Sequence, residues 1–495
     1  MAVCDNKGDR TREEMSAFWQ QHSQEATLEK MFLDSQVKEI SQVEEIEILN
    51  LMCDVKEKNV LELGSGIGRY TGKLALDANH VTSLDFMESF VLKSKEINGH
   101  MKNITFLTAD VTSQDFEPES FDVVFSNWLL MYLSDDEVND LLIKIVKWTK
   151  PGGNIFFRES CFRIPGVSKL DFNPTNYRTP SVYSAMFQLA KAGTPPHGLD
   201  ILFCRNLKSF MELKKNHYQC VWLLEKAFRT TTSSQHGYNT FQQFLDNQQY
   251  TQNGILRYER IFGPGFVSTG GKDTTEEFVA MLDLKPGQKV LDVGSGIGGG
   301  DFYIEQKYGA DVLGIDSSVN IVEIAMERSP ADTKVQFQIC DVTTVEFGSE
   351  SFDVVYSRDT LLHIADKPAV FKKFMRWLKP GGKLLISDYC HGDCEHSEKF
   401  KSYVAQRGYV LYTVQRYGKM LEEDGFVNVK AEDRSKQFAS ILKQERAQTE
   451  ANKQDFIKDF SEADYNYIVD EWADKLGHVE MGDQAWGLFY AEKPL

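Results

Sequence analysis

The chain repeats itself, and that repeat limits its fold more than any other feature. Asn59–Gly68 (NVLELGSGIG) returns as Lys289–Gly298 (KVLDVGSGIG), and Val81–Asp85 (VTSLD) returns as Val312–Asp316 (VLGID). Ala109–Thr112 matches Cys340–Thr343, Phe121–Ser126 matches Phe352–Ser357, and Trp148–Gly153 matches Trp377–Gly382. The spacings agree too: Gly64 to Asp85 is 21 residues and Gly294 to Asp316 is 22, while Gly64 to Asp110 is 46 and Gly294 to Asp341 is 47. One insertion or deletion accounts for the drift. A chain of 495 residues is too long for one core, so two copies of one domain are expected. The boundary falls in the polar stretch near Ser233–Gly237, giving domains at 1–232 and 248–495 joined by a linker at 233–247.

Within each copy, short β-branched and apolar runs alternate with helical-period segments such as Phe90–Asn98 and Val319–Glu327. That alternation predicts βαβ units, an α/β class and a mainly parallel sheet with helices on both faces.

Composition narrows the setting. A net charge of -18 argues against nonspecific nucleic-acid binding and against a polybasic membrane surface. Any anionic substrate then needs a few cations gathered at its site. The N-terminal stretch Met1–Arg12 lacks the apolar core of a signal peptide, and the longest apolar runs are strand-sized. Eight scattered cysteines suit a reducing compartment. A cytoplasmic monomer without stable membrane insertion is expected.

Each copy places a glycine loop between a strand and a helix, where backbone N–H groups face a ligand. Gly64, Gly66, Gly294 and Gly296 permit that approach, and Asp85 and Asp316 close the next strand, where a carboxylate can accept both hydroxyls of a ribose. Taken alone this is weak, and Gly294, Gly296 and Gly299 satisfy a dinucleotide pattern literally. Three features tilt the reading. Glu62 and Asp292 precede the loops, Asp110 and Asp341 close a further strand, and Lys-Pro-Gly-Gly leads into a late strand in both copies. In this order the residues resemble the class I S-adenosylmethionine-dependent methyltransferases. The resemblance implies two tandem Rossmann-like domains, each with a mainly parallel seven-stranded sheet, and S-adenosyl-L-methionine as cofactor. It also adds Val111, Asn127, Ser268, Val342 and Arg358 to the cofactor contacts.

The acceptor is indicated by a second set of motifs. Asp246–Gly263, Phe266–Gly271, Ser357–His363, Ser387–Cys390 and Tyr403–Tyr409 resemble the phosphoethanolamine N-methyltransferases, and the likeness covers nearly the whole chain, tandem plan included. The implied activity turns phosphoethanolamine into phosphocholine by three methylations. An amine with a reference pKa of roughly 10 must lose a proton before it attacks a methyl group. The resemblance assigns that task to a Tyr250–His363 pair, and imidazole suits it. By the same resemblance Gln249 and Asp359 orient the amine, and Val267 and Ser268 line the acceptor side. Tyr258, Tyr389, Tyr403, Arg407, Tyr409 and Lys475 hold the phosphate. From the residues alone, Tyr403 and Arg407, four apart on a helix, also read as a surface pair.

The first copy departs at the acceptor. Tyr132 stands where the second copy has His363, and the lead-in Phe18–Ser23 lacks the Tyr-Thr pair. Arg158, Tyr177 and Arg178 are its candidate phosphate contacts by position and charge alone. The family pattern implies the first methylation in the first copy and the next two in the second. Another small amine as acceptor, and a non-catalytic, regulatory first copy, stay open. Cys390, His391, Cys394 and His396 offer zinc-type ligands, but no metal is expected, because the first copy lacks the cluster and methyl transfer needs none.

Overall fold

A computed structural model describes residues 12–33, 37–161, 175–229 and 241–495, with the backbone alone for residues 12, 13, 241, 244 and 249. It divides into two compact units, Met1–Gly237 and Tyr238–Leu495. Of the expected linker, residues 233–240 lie outside the described residues, while 241–247 are helical.

The first unit's strands are β1 (Asn59–Leu63), β2 (His80–Asp85), β3 (Ile104–Thr108), β4 (Phe121–Asn127), β5 (Thr149–Ser160), β6 (Lys191–Ala192), β7 (His197–Asn206) and β8 (Gln219–Phe228). They lie in the order β3-β2-β1-β4-β5-β8-β7, with the two-residue β6 beside β7. Pairing is parallel from β3 to β5, and β8 is antiparallel to both β5 and β7. The second unit has β9 (Lys289–Val293), β10 (Asp311–Asp316), β11 (Gln336–Ile339), β12 (Phe352–Arg358), β13 (Leu378–His391), β14 (Val427–Asp433) and β15 (Gln484–Glu492). Its order, β11-β10-β9-β12-β13-β15-β14, is the same plan with seven strands.

The central strands are buried along nearly their whole length, as a parallel sheet covered on both faces requires. The copies also share packing. Phe116, Phe121 and Trp148 form an edge-to-face group in the first unit, and Phe347, Phe352 and Trp377 repeat it in the second. Helix starts are capped by local chemistry. Ser134 and Glu137 make a reciprocal capping box for Asp135–Trp148, and Ser318 caps Val319–Glu327.

In each unit the chain runs from the first strand to one side and later returns to the other, so β1/β4 and β9/β12 are topological switch points. Ligands of such sheets bind outside the carboxyl ends of these strands. Among the described residues no helix is long and apolar enough to cross a membrane.

Candidate active sites

Both glycine turns open at the switch points. Gly66 has φ +55° and a Cβ there would meet the Met31 sulfur at 2.4 Å; Gly294 has φ +83° and would meet Thr360 Oγ1 at 1.9 Å. Only glycine fits either place. The residue just past the neighbouring strand is also left-handed in both copies, Trp128 at φ +58° and Asp359 at φ +49°. A non-glycine residue held there stores strain, and here the two side chains face the two cavities.

The first cavity encloses about 970 Å³, mouth included, within the range of small-molecule sites. Glu62, Gly64, Gly66, Asp85, Val111 and Asn127 line it, while Asp110 is not among the lining residues. The Asp85 carboxylate accepts the Gly66 and Met87 amides at 2.8 and 2.9 Å, and burial pushes its pKa up to about 6. Glu62 accepts from Thr71 Oγ1 at 2.5 Å and burial raises it to about 7. Asp110 makes a turn by accepting the Thr112 amide and hydroxyl at 2.9 and 2.8 Å.

The second copy repeats these devices. Asp316 accepts the Gly296 and Ser318 amides at 3.3 and 2.9 Å, and burial again raises it to about 6. Asp341 makes the same turn with Thr343 at 2.8 and 2.7 Å, and Val342 beside it is buried. Asp292 faces a second carboxyl, Asp301, where the first copy has Thr71. Burial lifts Asp292 to about 7, and desolvation together with the Asp292 charge lifts Asp301 well above the carboxylate range. Its cavity, about 570 Å³, is lined by Tyr250, Val267, Ser268, Gly294, Gly296, Asp316, Arg358 and Asp359.

The acceptor-side residues of the second unit converge. Asp359 is fixed by three donors, Ser387 Oγ at 3.1 Å, Trp486 Nε1 at 2.8 Å and the Thr269 amide at 3.0 Å. Tyr389 shares a hydrogen bond with Thr269 Oγ1 at 3.2 Å. The His363 ring lies 5.1 Å from that of Tyr409, which lies 5.8 Å from Tyr403 and 6.3 Å from Tyr389. Burial, with Lys367 and Arg407 adding, holds the His363 imidazole down to about 3. The Tyr250 phenol is pushed up by burial and by the Asp316 charge. Arg407 reaches the Tyr258 and Tyr467 hydroxyls at 3.5 and 3.1 Å. The Gln249 side chain lies outside the described residues.

One residue at this site escaped the sequence. Glu471 is 8% exposed and accepts both cations, Arg407 at 2.7 Å and Lys475 at 3.0 Å. Tyr258 Oη donates to its other oxygen at 3.4 Å. The available signal was the four-residue spacing to Lys475 on one helix.

Arg358 contacts its cavity but is heavily used by the fold. Its Nη atoms donate to the Thr269 and Gly271 carbonyls at 2.5 and 3.3 Å and to the Thr274 and Thr275 hydroxyls at 2.8 and 2.7 Å. It stitches the 269–275 turn to the end of β12.

The first copy's candidate phosphate contacts need correction. Arg178 donates to the Leu130 and Leu133 carbonyls and to Asp135, so it clamps a turn, and it does not line the cavity. Arg158 is fully buried, 3.3 Å from the Trp128 ring, and ion-paired to Glu44 at 2.7 Å. Tyr177 is 38% exposed and does not line the cavity. Instead Trp19 packs edge-on against Tyr132, ring centres 5.1 Å apart, and both line the cavity with Arg69, Tyr70 and Trp128.

The zinc-type cluster comes together only in part. Cys394, His396 and Asp483 bring ligand atoms within 4.8 Å of one another. Cys390 is buried with its thiol toward the Asp388 carbonyl, and Asp483 already caps a helix through the Ser397 amide and hydroxyl at 3.0 and 2.6 Å.

Known proteins share this arrangement. Methyltransferase-domain family models match residues 60–153 and 291–386. The chain is 50% identical over 493 residues to phosphoethanolamine N-methyltransferase 1 of Triticum aestivum, covering 98% of each chain. It is 49% identical over 491 residues to phosphoethanolamine N-methyltransferase 1 of Arabidopsis thaliana, covering 98% of this chain and 99% of that one. Phosphoethanolamine N-methyltransferase 2 of Haemonchus contortus, solved with phosphomonomethylethanolamine and S-adenosylhomocysteine, superposes with a TM-score of 0.76 at 26% identity, covering 92% of this chain and 99% of that one. With two glycine-loop sites, paired acids and this full-length likeness, the chain belongs to the phosphoethanolamine N-methyltransferase family of enzymes.

Proposed function

We propose that the protein methylates the nitrogen of phosphoethanolamine in successive steps to phosphocholine, the first copy making the first transfer and the second copy the next two. The observation that carries this reading is the convergence, in the second unit, of Arg407, Lys475 and the Tyr258 hydroxyl around one point, with Asp359 and Tyr250 on the neighbouring cavity. Two cations and a phenol suit a phosphate, and a fixed carboxylate suits an ammonium a short molecule away.

S-adenosylmethionine supplies an electrophilic methyl group when bound, and the residues present fit it. Glu62 and Asp292 suit its ammonium, Asp85 and Asp316 its ribose, and the glycine turns leave room for close approach. In the second unit Asp359 orients the amine, and His363 accepts its proton. Burial holds the imidazole at about 3 in the free protein, so it is neutral but weakly basic, and substrate binding must raise its pKa for it to take the proton. Tyr250 remains protonated, so its hydroxyl can donate to a neighbour and close the site. The aromatic walls tolerate the growing positive charge on nitrogen, and positioning nitrogen in line with the methyl supplies most of the rate. The first copy lacks the imidazole and encloses its acceptor with Trp19, Tyr132 and Trp128, a difference that supports a division of steps. We place the domain boundary within 233–247 and expect a cytoplasmic monomer, which sedimentation would check.

The decisive assay is methylation of phosphoethanolamine and its mono- and dimethyl forms by the full chain carrying Tyr250→Phe or His363→Ala. Both variants should stop at the monomethyl product. Unchanged formation of phosphocholine by both would overturn the assignment.

A further inference from the structure

The end of β13 and the start of β15 meet in a turn that gathers three metal-type ligands, none of which lines either cavity. Gly392 donates its amide to the Asp483 carbonyl at 2.9 Å, and a Cβ at Gly392 would collide with the Gly482 carbonyl. Glycine there lets the two segments close up. The closure carries Asp483 against the loop after β13, which holds Cys394 and His396. His396 Nδ1 then lies 3.5 Å from Asp483 Oδ1 and 3.9 Å from Cys394 Sγ, and all three ligand atoms fall within 4.8 Å of one another.

These separations decide what the cluster can hold. Bonds of about 2.0–2.3 Å to a tetrahedral zinc place neighbouring ligand atoms about 3.3–3.8 Å apart. Two of the three pairs are at or near that spacing. Cys394 is exposed, its thiol 3.3 Å from the Gly482 carbonyl, so a turn of its side chain completes the set. Thiolate, imidazole and carboxylate are ligand types that zinc favours, and the thiolate and carboxylate balance its double charge. The surroundings suit a cation too: Asp393, Glu395 and Glu398 flank the ligands, and residues 391–398 contain no Lys or Arg. Asp483 is oriented from behind, because the Ser397 amide and hydroxyl donate to its two oxygens at 3.0 and 2.6 Å. The His391 ring sets Nδ1 2.8 Å from the Gly392 carbonyl, which leaves the fourth position to water.

The ligands belong to the second copy alone. Counting from the shared Lys-Pro-Gly-Gly turn, the first copy has Phe162, Pro165 and Val167 where the second has His391, Cys394 and His396. Methyl transfer needs no metal in either copy, so the role of one here is structural. The ligands bracket the start of the helix Glu398–Arg407, whose cap is Ser397. His396 packs on Phe400 with ring centres 5.4 Å apart, and Phe400 stacks on Tyr403 at 6.3 Å. Tyr403 and Arg407 both lie on this helix.

We infer that Cys394, His396 and Asp483 form a zinc-binding site that pins the loop 392–397 to the start of the helix bearing Tyr403 and Arg407. Zinc binding stands on these ligands alone. Its effect on the acceptor rests on the phosphobase reading of Tyr403 and Arg407, and the two are tested separately.

The full chain, freed of metal by a chelator under a phosphine reductant, is titrated with Co(II) and then with Zn(II). One Co(II) per chain should give a thiolate-to-cobalt charge-transfer band and the visible bands of a tetrahedral ion, and Zn(II) should displace it. Cys394→Ser should abolish the charge-transfer band, and His396→Ala should weaken Zn(II) binding by about a hundredfold or more. Neither residue lines a cavity, so both variants should keep the metal-free methylation rate. A band that survives Cys394→Ser, or an unchanged Zn(II) affinity in folded His396→Ala, would overturn the site. Amide hydrogen exchange over residues 397–401 should slow when zinc is added to the unaltered chain and not to Cys394→Ser; equal exchange in both would overturn the pinning. Zinc should also lower the KM for the monomethyl phosphobase severalfold without moving kcat, an effect lost in Cys394→Ser. Zinc binding and slowed exchange with an unmoved KM would overturn the link to the acceptor. A chain that binds zinc but methylates no phosphobase would sink the phosphobase reading and leave the site standing.

Discussion

At the scale of single residues, the cluster proposed to hold the phosphate in the second unit is built on a shared charge. Glu471 lies between Arg407 and Lys475 where the proposed reaction needs a phosphate, and it stays ionised because the two cations outweigh its burial. A phosphobase must therefore compete with a resident carboxylate. Glu471→Gln removes that competition, so the KM for the phosphobase should fall severalfold in steady-state assays while Arg407→Gln raises it. An increase of KM in Glu471→Gln would show that the carboxylate's main work is to hold the cations in place. The ribose-end acids give a pH prediction. Asp85 and Asp316 titrate near pH 6 in the free protein because burial penalises their charged forms, and a diol is held by the ionised forms. Ligand binding therefore draws their pKa values down and expels protons. Glu62 and Asp292, raised to about 7 and proposed to face the ammonium, titrate in the same direction, so affinity for S-adenosylhomocysteine should level off only above about pH 8 and fall steeply below about 7, with proton release visible when calorimetry is repeated in buffers of different ionisation heat. For folding alone the sign is opposite to the usual carboxylate case. The native state binds more protons than the unfolded chain between the ordinary and raised pKa values, so these acids favour folding less as pH rises through that window.

At the scale of elements, short turns carry the chemistry and buried groups outside the motifs aim them. In the first unit the Glu159 carboxylate accepts the amides of Leu129, Leu130 and Met131 at 3.0, 2.8 and 3.1 Å, while Arg178 takes the Leu130 and Leu133 carbonyls. Together they fix the turn that presents Tyr132. In the second unit Asp388 anchors the turn presenting His363, through the Leu362 amide at 3.1 Å. Arg178→Ala removes two charge-assisted hydrogen bonds and leaves the Leu130 and Leu133 carbonyls one donor each, the Leu133 amide and Asn176 Nδ2, both at 3.1 Å, and should destabilise the first unit by about 1–3 kcal/mol, measured by urea denaturation; a change below about 0.5 kcal/mol would mean that those remaining donors suffice. The motif words, the turns and the strand–loop–helix order were legible, because each follows from local periodicity and from glycine's freedom at positive φ. Glu44, Glu159 and Glu471 were not, because a helix or strand glutamate reads as a solvated residue until tertiary contacts bury it. Arg178 misled for the complementary reason: a guanidinium beside a predicted site is as able to close a turn as to hold an anion.

At the scale of the whole molecule, two copies retain one cofactor architecture and differ at the acceptor. Asp85→Asn and Asp316→Asn, made singly in the full chain, should separate the proposed steps. The first should abolish methylation of phosphoethanolamine while sparing conversion of the monomethyl form; the second should make the monomethyl product accumulate. Chromatography of the products checks this, and equal loss of all three steps in either variant would exclude a division of labour. The sequence by itself determined the duplication, the α/β class, the acids flanking each glycine turn and the family likeness, because these depend on spacing along the chain. Tertiary structure alone decided which charges meet: Arg69 with Arg158 across Glu44, Arg407 with Lys475 across Glu471, and Arg178 with a turn in place of a ligand. The physical reason is that a charge acquires its partner, its burial and so its role only when residues far apart in sequence are brought within a few ångströms.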